Sequence, residues 1–99
     1  HIWDVCRAFQ FVVDNWESCR NQTFNVGNDA MNMNKLQLAQ KISNHLPLEI
    51  IRAEFNSDPD VRDYIVSSQK FYDLGYQCEY DLDVSIQQLI NAYSSSRAL

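Results

Sequence analysis

The chain has 99 residues and a mass of 11.6 kDa, the size of one domain. Hydrophobic residues make up 45% and charged residues 21%, with two Gly and two Pro, so neither disorder nor low complexity is expected. The net charge is −5, and the chain lacks the clustered positive charge that a nucleic-acid-binding protein needs. No apolar run approaches the roughly 18 residues of a membrane span. We therefore expect one lobe over residues 1–99, with no nucleic-acid or membrane partner.

In the first third of the chain, the sequence predicts a helix followed by a short strand. Between residues 4 and 19 the apolar residues recur at helical spacing, and Asp4 is placed to cap the first turn. Phe11 falls off this apolar stripe. Residues 22–26 alternate polar and apolar, which predicts a strand that enters a turn at residues 27–29.

A second helix is predicted over residues 34–46. Asn34 and Gln37 form a capping-box-like pair at its start, and Pro47 prevents its continuation. Strand-forming residues follow at positions 48–55, and a strong turn signal follows at positions 56–60.

The last third of the chain predicts one more strand and two helices. Residues 64–66 indicate a brief strand, after which Ser67 or Ser68 caps a short helix that ends at Gly75. Asp81 caps a final helix with a clean apolar stripe, and residues 94–97 are expected to fray. This alternation predicts the α+β class, as a small helix-rich lobe with short strands or a piece of an α/β protein.

Residues that could carry chemistry are few. The only histidines are His1 and His45, and His45 lies in the last turn of a predicted helix, where a structural role is favoured. The three cysteines, Cys6, Cys19 and Cys78, form no CxxC pair and no zinc-binding spacing, which is typical of reduced thiols in a cytoplasmic protein. The sequence thus predicts no catalytic residue, no metal site and no cofactor site within this chain.

One polar loop, residues 56–64, has the composition of a binding segment. It places Arg62 beside Asp63 and Tyr64 at the start of a predicted strand, and an Arg fork suits a phosphate or diphosphate group. The alternative is an exposed ion pair between Arg62 and a neighbouring acid, which is common on protein surfaces.

Several short motifs, taken in order, resemble the C-terminal region of the NAD-dependent epimerase/dehydratases, the extended short-chain dehydrogenase/reductases that act on nucleotide sugars. Each motif is weak alone, but their order and spacing over nearly the whole chain are specific. They are His1-Ile2-x-Asp4-Val5-x-x-Ala8, Phe24-Asn25-Val26-Gly27, Lys35-Leu36-x-Leu38-Ala39, Asp60-x-Arg62-Asp63-Tyr64-x-Val66-Ser67-x-x-Lys70, Leu74-Gly75-Tyr76 and Asp81-Leu82-Asp83-x-x-Ile86.

This resemblance implies the substrate-binding lobe of a Rossmann-type α/β enzyme. Such enzymes bind NAD or NADP on a separate domain with a Gly-rich loop and use a YxxxK pair, and this chain has neither motif. The lobe alone is therefore expected to be inactive, with its partners being the nucleotide-sugar substrate and the Rossmann domain. The start at His1 without an initiator Met also suggests a piece of a longer protein.

The resemblance also points to substrate-binding residues in the segment from Ser57 to Tyr64. Asp60 matches the family, whereas Ser57 stands where many members have Arg, which puts the usual phosphate contact in doubt. Arg62, or Arg52 from the preceding predicted strand, is expected to replace it, with Asp63 and Tyr64 nearby.

A second class of function stays open beside the enzyme lobe. The chain could be a free-standing ligand-sensing or protein-interaction module with no catalytic role. Self-association is expected of the enzyme lobe, because a lobe that normally packs on a partner exposes apolar surface, whereas a monomer would favour the free-standing module. Its expected contacts are Trp3, Phe11 and the predicted strands around Phe24 and Ile65.

Overall fold

The computed structural model describes residues 1–51 and 64–96, and in these segments the architecture is helical. The helices are α1 (Ile2–Asp14), α2 (Trp16–Cys19), α3 (Lys35–Ser43), α4 (Gln69–Tyr72) and α5 (Leu82–Ser96), with a short 3-10 helix at Asp29–Met31. This part of the chain is 57% helical and contains no strand. The predicted α+β class with short strands is therefore wrong.

Asparagine side chains bond the backbone at and just after the predicted strand at 64–66, which does not form, and the predicted strand at 22–26 does not form either. The side chain of Asn32 accepts a hydrogen bond from the Val66 amide at 3.0 Å and donates one to the Val66 carbonyl at 2.7 Å. Asn25 donates to the Ser67 carbonyl at 3.1 Å. Side-chain amides thus take the backbone groups that a neighbouring strand would have used. The predicted strand at 48–55 forms no strand up to residue 51, and the rest of it lies outside the described residues.

Helix α1 starts earlier and ends sooner than the apolar spacing predicts. His1 is its N-cap, with Nδ1 accepting from the Trp3 amide at 3.2 Å, so the predicted Asp4 cap is wrong. At the other end, the Asn15 side chain donates to the Phe11 carbonyl at 2.9 Å, and α2 starts anew at Trp16. An Asn side chain that competes for backbone groups commonly interrupts a helix in this way.

The start signals of the later helices are confirmed. Asn34 and Gln37 form a full capping box on α3, with both hydrogen bonds at 2.9 Å. Asp81 accepts from the Val84 amide at 2.8 Å at the start of α5, and Gly75 adopts the left-handed conformation at φ 103° after α4. The end signals are less accurate. Helix α3 ends at Ser43 rather than residue 46, and α5 continues to Ser96 through the predicted frayed tail.

The core is a small aromatic cluster centred on Phe71, which is 1% exposed. Its ring stacks on Tyr76 and Phe24, at centroid distances of 4.5 and 4.8 Å, and meets the edge of Phe11 at 5.3 Å. Ala8 and Cys19 complete the buried group. Because these residues come from both ends of the chain, the cluster joins α1 to α4 and to the segment that follows it. Along residues 1–51 and 64–96, none of the helices is both long and apolar enough to cross a bilayer.

A polar clasp joins the end of α3 to the start of α5. Asp83 accepts from His45 Nε2 at 2.8 Å and from Lys41 Nζ at 3.0 Å, and His45 thus makes a structural contact from beyond the end of α3 rather than from the predicted last turn. These two hydrogen bonds, that from His45 first, lower the pKa of Asp83. Because an aspartate with a lowered pKa favours the folded state only while it is ionised, this clasp stabilises the fold above the ordinary aspartate range and weakens below it.

Asp83→Asn should therefore lower stability at pH 6 and make progressively less difference as the pH falls below about 4. Urea unfolding of the wild type and the variant at pH 6, 4 and 3 measures this. Asp14→Asn is the control, since Asp14 is exposed and accepts only from Gln10 on its own helix. A difference between wild type and Asp83→Asn that does not change with pH would contradict the clasp.

Candidate functional site

A cavity of about 320 Å³ lies beside the start of helix α1. Four segments that are distant in sequence line it: residues 1–5, 26–32, 66–68 and 78–80. Its volume is at the lower end of the range for small-molecule sites. The cavity is therefore a candidate ligand site whose walls depend on long-range packing.

Asp29 holds two of these segments together. Its Oδ1 accepts from the Ser68 amide at 2.8 Å, and its Oδ2 accepts from Ser67 Oγ at 3.0 Å. The carboxylate therefore fixes residues 67 and 68 against the 3-10 helix that begins at Asp29. Asn32, one turn later, secures the neighbouring Val66 backbone as described above.

The phenol of Tyr72 holds the turn at residues 27–29 by hydrogen bonds from the core side. Its hydroxyl donates to the Gly27 carbonyl and accepts from the Asp29 amide, the latter at 3.4 Å. Burial raises the pKa of Tyr72, so the phenol stays protonated and remains a donor at physiological pH. Residues 27–29, which form one wall of the cavity, are thus hydrogen-bonded to Ser67 and Ser68 on one side and to Tyr72 on the other.

Asp4 organises the opposite wall. This carboxylate is 3% exposed and accepts from the amides of Glu79 and Tyr80, at 2.9 and 3.1 Å, while Arg7 lies 3.4 Å away. The buried Tyr76 hydroxyl donates to the Asp4 carbonyl at 2.7 Å. Burial, followed by the hydrogen bond with Cys78, raises the pKa of Tyr76. Asp4 therefore ties α1 to the segment that precedes α5.

Two flat rings border the cavity beside Asp4. His1 and Tyr80 stack with ring centroids 4.2 Å apart and planes 12° from parallel. The second ring nitrogen of His1 meets Gln88 Oε1 at 2.7 Å, which fixes the imidazole on α5. The remaining walls include the aliphatic side chains of Val5, Val26 and Val66.

The hydroxyl of Ser68 is the one polar side-chain atom of the described residues that is fully buried without a hydrogen-bond partner. Ser68 is 2% exposed and lines the cavity next to Gly27. It occupies the N-cap position of α4, yet its hydroxyl does not cap the helix. The neighbouring Ser67 Oγ accepts from the Gln69 amide at 3.2 Å instead.

The charge of the lining is negative. Among the described residues, Asp4 and Asp29 contribute carboxylates, His1 contributes an imidazole, and no Lys or Arg side chain lines the cavity. Beside these residues a phosphate group would meet like charge, whereas an uncharged ligand would not. The described residues also contain no cluster of His, Cys, Asp and Glu suited to a metal ion.

A second surface feature adjoins the cavity: helix α1 is apolar on its outer side as well as towards the core. Its outer face exposes Ile2, Phe9 and Val13, at 67, 72 and 68%, and Trp16 at the start of α2 is 58% exposed. An apolar groove of about 280 Å³ runs between this helix, Phe24 and Phe71. A helix that is apolar around most of its circumference is normally covered on both sides. Another apolar groove, of about 430 Å³, lies between α3 and α5.

Most of the residues predicted to bind substrate lie outside the described residues. These are Arg52, Ser57, Asp60, Arg62 and Asp63. Tyr64 is described and is 69% exposed, two residues before the cavity-lining Val66.

The residues predicted to mediate self-association separate into two groups. Trp3 and Ile65 are exposed, at 59 and 83%. Phe11 and Phe24 are partly buried and pack against the core cluster, and the predicted self-association stays a prediction.

Sequence patterns did not identify Asp29, Asn32 or Ser68 as parts of a site. Residues 27–29 have the composition of an ordinary turn, and a serine before a helix has the ordinary interpretation of a cap. The partners of Asp29 and Asn32 lie 34 to 39 residues away, beyond any local spacing rule.

Comparison with known proteins adds no relationship to this picture. No protein-family model matches the chain, and no solved structure matches it. The resemblance to the epimerase/dehydratases therefore stays a prediction based on the quoted motifs.

Proposed function

We propose that this chain is the nucleotide-sugar-binding lobe of an NAD- or NADP-dependent epimerase/dehydratase, inactive without its cofactor domain. The segment from Ser57 to Tyr64, with Arg62 or Arg52, would bind the diphosphate. A cytoplasmic location belongs to the same proposal and agrees with the three free thiols.

One observation carries the proposal. Three of the family-like motifs, those at residues 1–8, 24–27 and 60–70, contribute lining residues to the same cavity. Motifs that merely stabilised separate helices would have no reason to meet at one concave site. Tyr64, the described end of the proposed diphosphate segment, lies two residues from that lining.

The outer face of α1 supports the proposed partner domain. Phe9 and Val13 on α1 are exposed, and so is Trp16 at the start of α2, which leaves apolar surface that a second domain would cover. Ligand sites commonly lie at such domain boundaries. The cofactor itself would bind on that second domain, because the Gly-rich turn that a dinucleotide needs is missing from this sequence.

Titration of the isotope-labelled chain with UDP-glucose, dTDP-glucose, GDP-mannose and NAD⁺ tests the proposal. We expect at least one nucleotide sugar to shift amide signals of residues 26–32 and 57–68, and NAD⁺ to shift none. Micromolar NAD⁺ binding, or the failure of all three nucleotide sugars, would contradict the proposal.

Arg62→Ala should weaken binding of that nucleotide sugar by about 1.5–3 kcal/mol, the range of a charge-assisted hydrogen bond. The matched control is Arg20→Ala, because Arg20 is exposed and pairs with Glu17 on α2, 3.3 Å away. Calorimetric titration measures both variants. Equal affinities for wild type and Arg62→Ala would mean that Arg62 does not bind the ligand and forms an ordinary surface ion pair.

A further inference from the structure

We infer that the cavity beside α1 binds the uncharged base of a nucleotide ligand, with the Ser68 hydroxyl as its hydrogen-bond partner. This inference rests on the proposed function and extends it, since it assigns one end of the substrate to a named cavity and to the Ser68 hydroxyl.

The Ser68 hydroxyl is the first observation behind this inference. A buried hydroxyl without a partner is unfavourable, and a serine at an N-cap normally avoids this by bonding the first turn of its helix. Ser68 does not, because Ser67 bonds the Gln69 amide in its place. The orphan hydroxyl is therefore available to a group that enters the cavity.

The geometry next to Ser68 leaves space for such a group. A methyl group built on Gly27 would stand 3.6 Å from Ser68 Oγ, an ordinary contact distance. Because Gly27 is not in the left-handed conformation, glycine is not required there by the backbone. Its missing side chain instead keeps the approach to the hydroxyl open.

The lining selects the kind of ligand. The two carboxylates of the described lining, which includes no Lys or Arg, disfavour a phosphate, and a sugar ring would need more hydrogen-bond partners than the aliphatic walls offer. A nucleobase has apolar faces and a polar edge, which matches valine walls, the stacked His1 and Tyr80 rings, and a hydroxyl.

Ser68→Ala separates a binding role from a structural one. We expect its urea-unfolding midpoint to equal or exceed that of the wild type, because the variant removes an unsatisfied group. Ser67→Ala is the matched control and should lower the midpoint, since Ser67 bonds both Asp29 and the Gln69 amide. A loss of stability in Ser68→Ala as large as that in Ser67→Ala would overturn the inference.

Binding is measured with uridine, thymidine and guanosine, followed by amide shifts of Gly27, Asp29 and Ser68. At least one nucleoside should shift them, and pyrophosphate should not. Ser68→Ala should weaken that nucleoside by roughly two- to tenfold, and Gly27→Ala should weaken it without loss of stability. Ser95→Ala, an exposed serine on α5, is the control for affinity.

The outcomes distinguish this inference from the proposed function. If nucleotide sugars bind but nucleosides leave the three amides unmoved, as they would if a trapped water satisfied Ser68, the inference fails and the proposed function stands. If neither nucleotide sugars nor nucleosides bind, both fail. If nucleosides bind and Ser68→Ala does not weaken them, the assigned hydroxyl is wrong and the inference is overturned.

Discussion

Phe71→Ala should lower the free energy of unfolding by about 3–5 kcal/mol, the largest loss expected from any single substitution described here. Phe71 is 1% exposed and contacts three other aromatic rings, so the truncation leaves a cavity in the core cluster that joins α1 to α4. For a chain of this size, such a loss is a large part of the total stability. Urea unfolding followed by tryptophan fluorescence measures it.

Phe9→Ala is the matched control for Phe71→Ala. Phe9 is also a phenylalanine near the core but is 72% exposed, so its truncation should change stability by less than about 0.5 kcal/mol. If Phe9→Ala cost as much as Phe71→Ala, the outer face of α1 would be covered in solution, and the assignment of the core would need revision.

Asp4→Ala should lower the free energy of unfolding by about 2–4 kcal/mol. The substitution removes the acceptor of the Glu79 and Tyr80 amides and leaves Arg7 without its buried partner. Asp4→Asn should restore only part of the loss, because one end of an amide side chain is a donor. Chemical denaturation measures both variants.

Asp14→Ala is the control for Asp4→Ala on the same helix. Asp14 is exposed and accepts from Gln10 within the helix, so little change is expected. Equal losses for the two aspartates would mean that the carboxylate of Asp4 is solvated in solution and does not organise the cavity wall.

The elements that could be predicted from the sequence are those set by neighbouring residues. The capping box of Asn34, the cap of Asp81 and the left-handed Gly75 each depend on residues within three or four positions. Local backbone chemistry decides such features, so reading the sequence in short windows is sufficient.

The faces of helix α1 show why the rest could not be predicted. Its apolar stripe includes Phe9 and Val13, which are exposed, whereas Phe11, placed off that stripe, packs on the core. Periodicity identifies apolar faces but cannot say which one the chain covers by itself. The strands failed for a related reason, since the Asn32 amide, 34 residues away, satisfies the Val66 backbone.

The candidate site likewise contains residues that the sequence identifies and residues that it does not. Arg62 and its neighbours were identified as a polar segment because residue type alone suggests phosphate binding. Asp29 and Ser68 acquire their significance only from each other and from the turn at Gly27. A site assembled from four distant segments leaves no contiguous pattern to read.

The open apolar face of α1 has a consequence for the amount of this protein that a cell can hold. A copy without a partner presents Ile2, Phe9 and Val13 to chaperones and proteases, which recognise such surfaces as signs of incomplete folding. Copies whose α1 is covered by a partner are not recognised by chaperones and proteases in this way. The steady-state amount of the chain should therefore follow the amount of the partner that covers α1. Degradation of unpartnered copies then keeps the chain and its partner in matching amounts without any dedicated regulator.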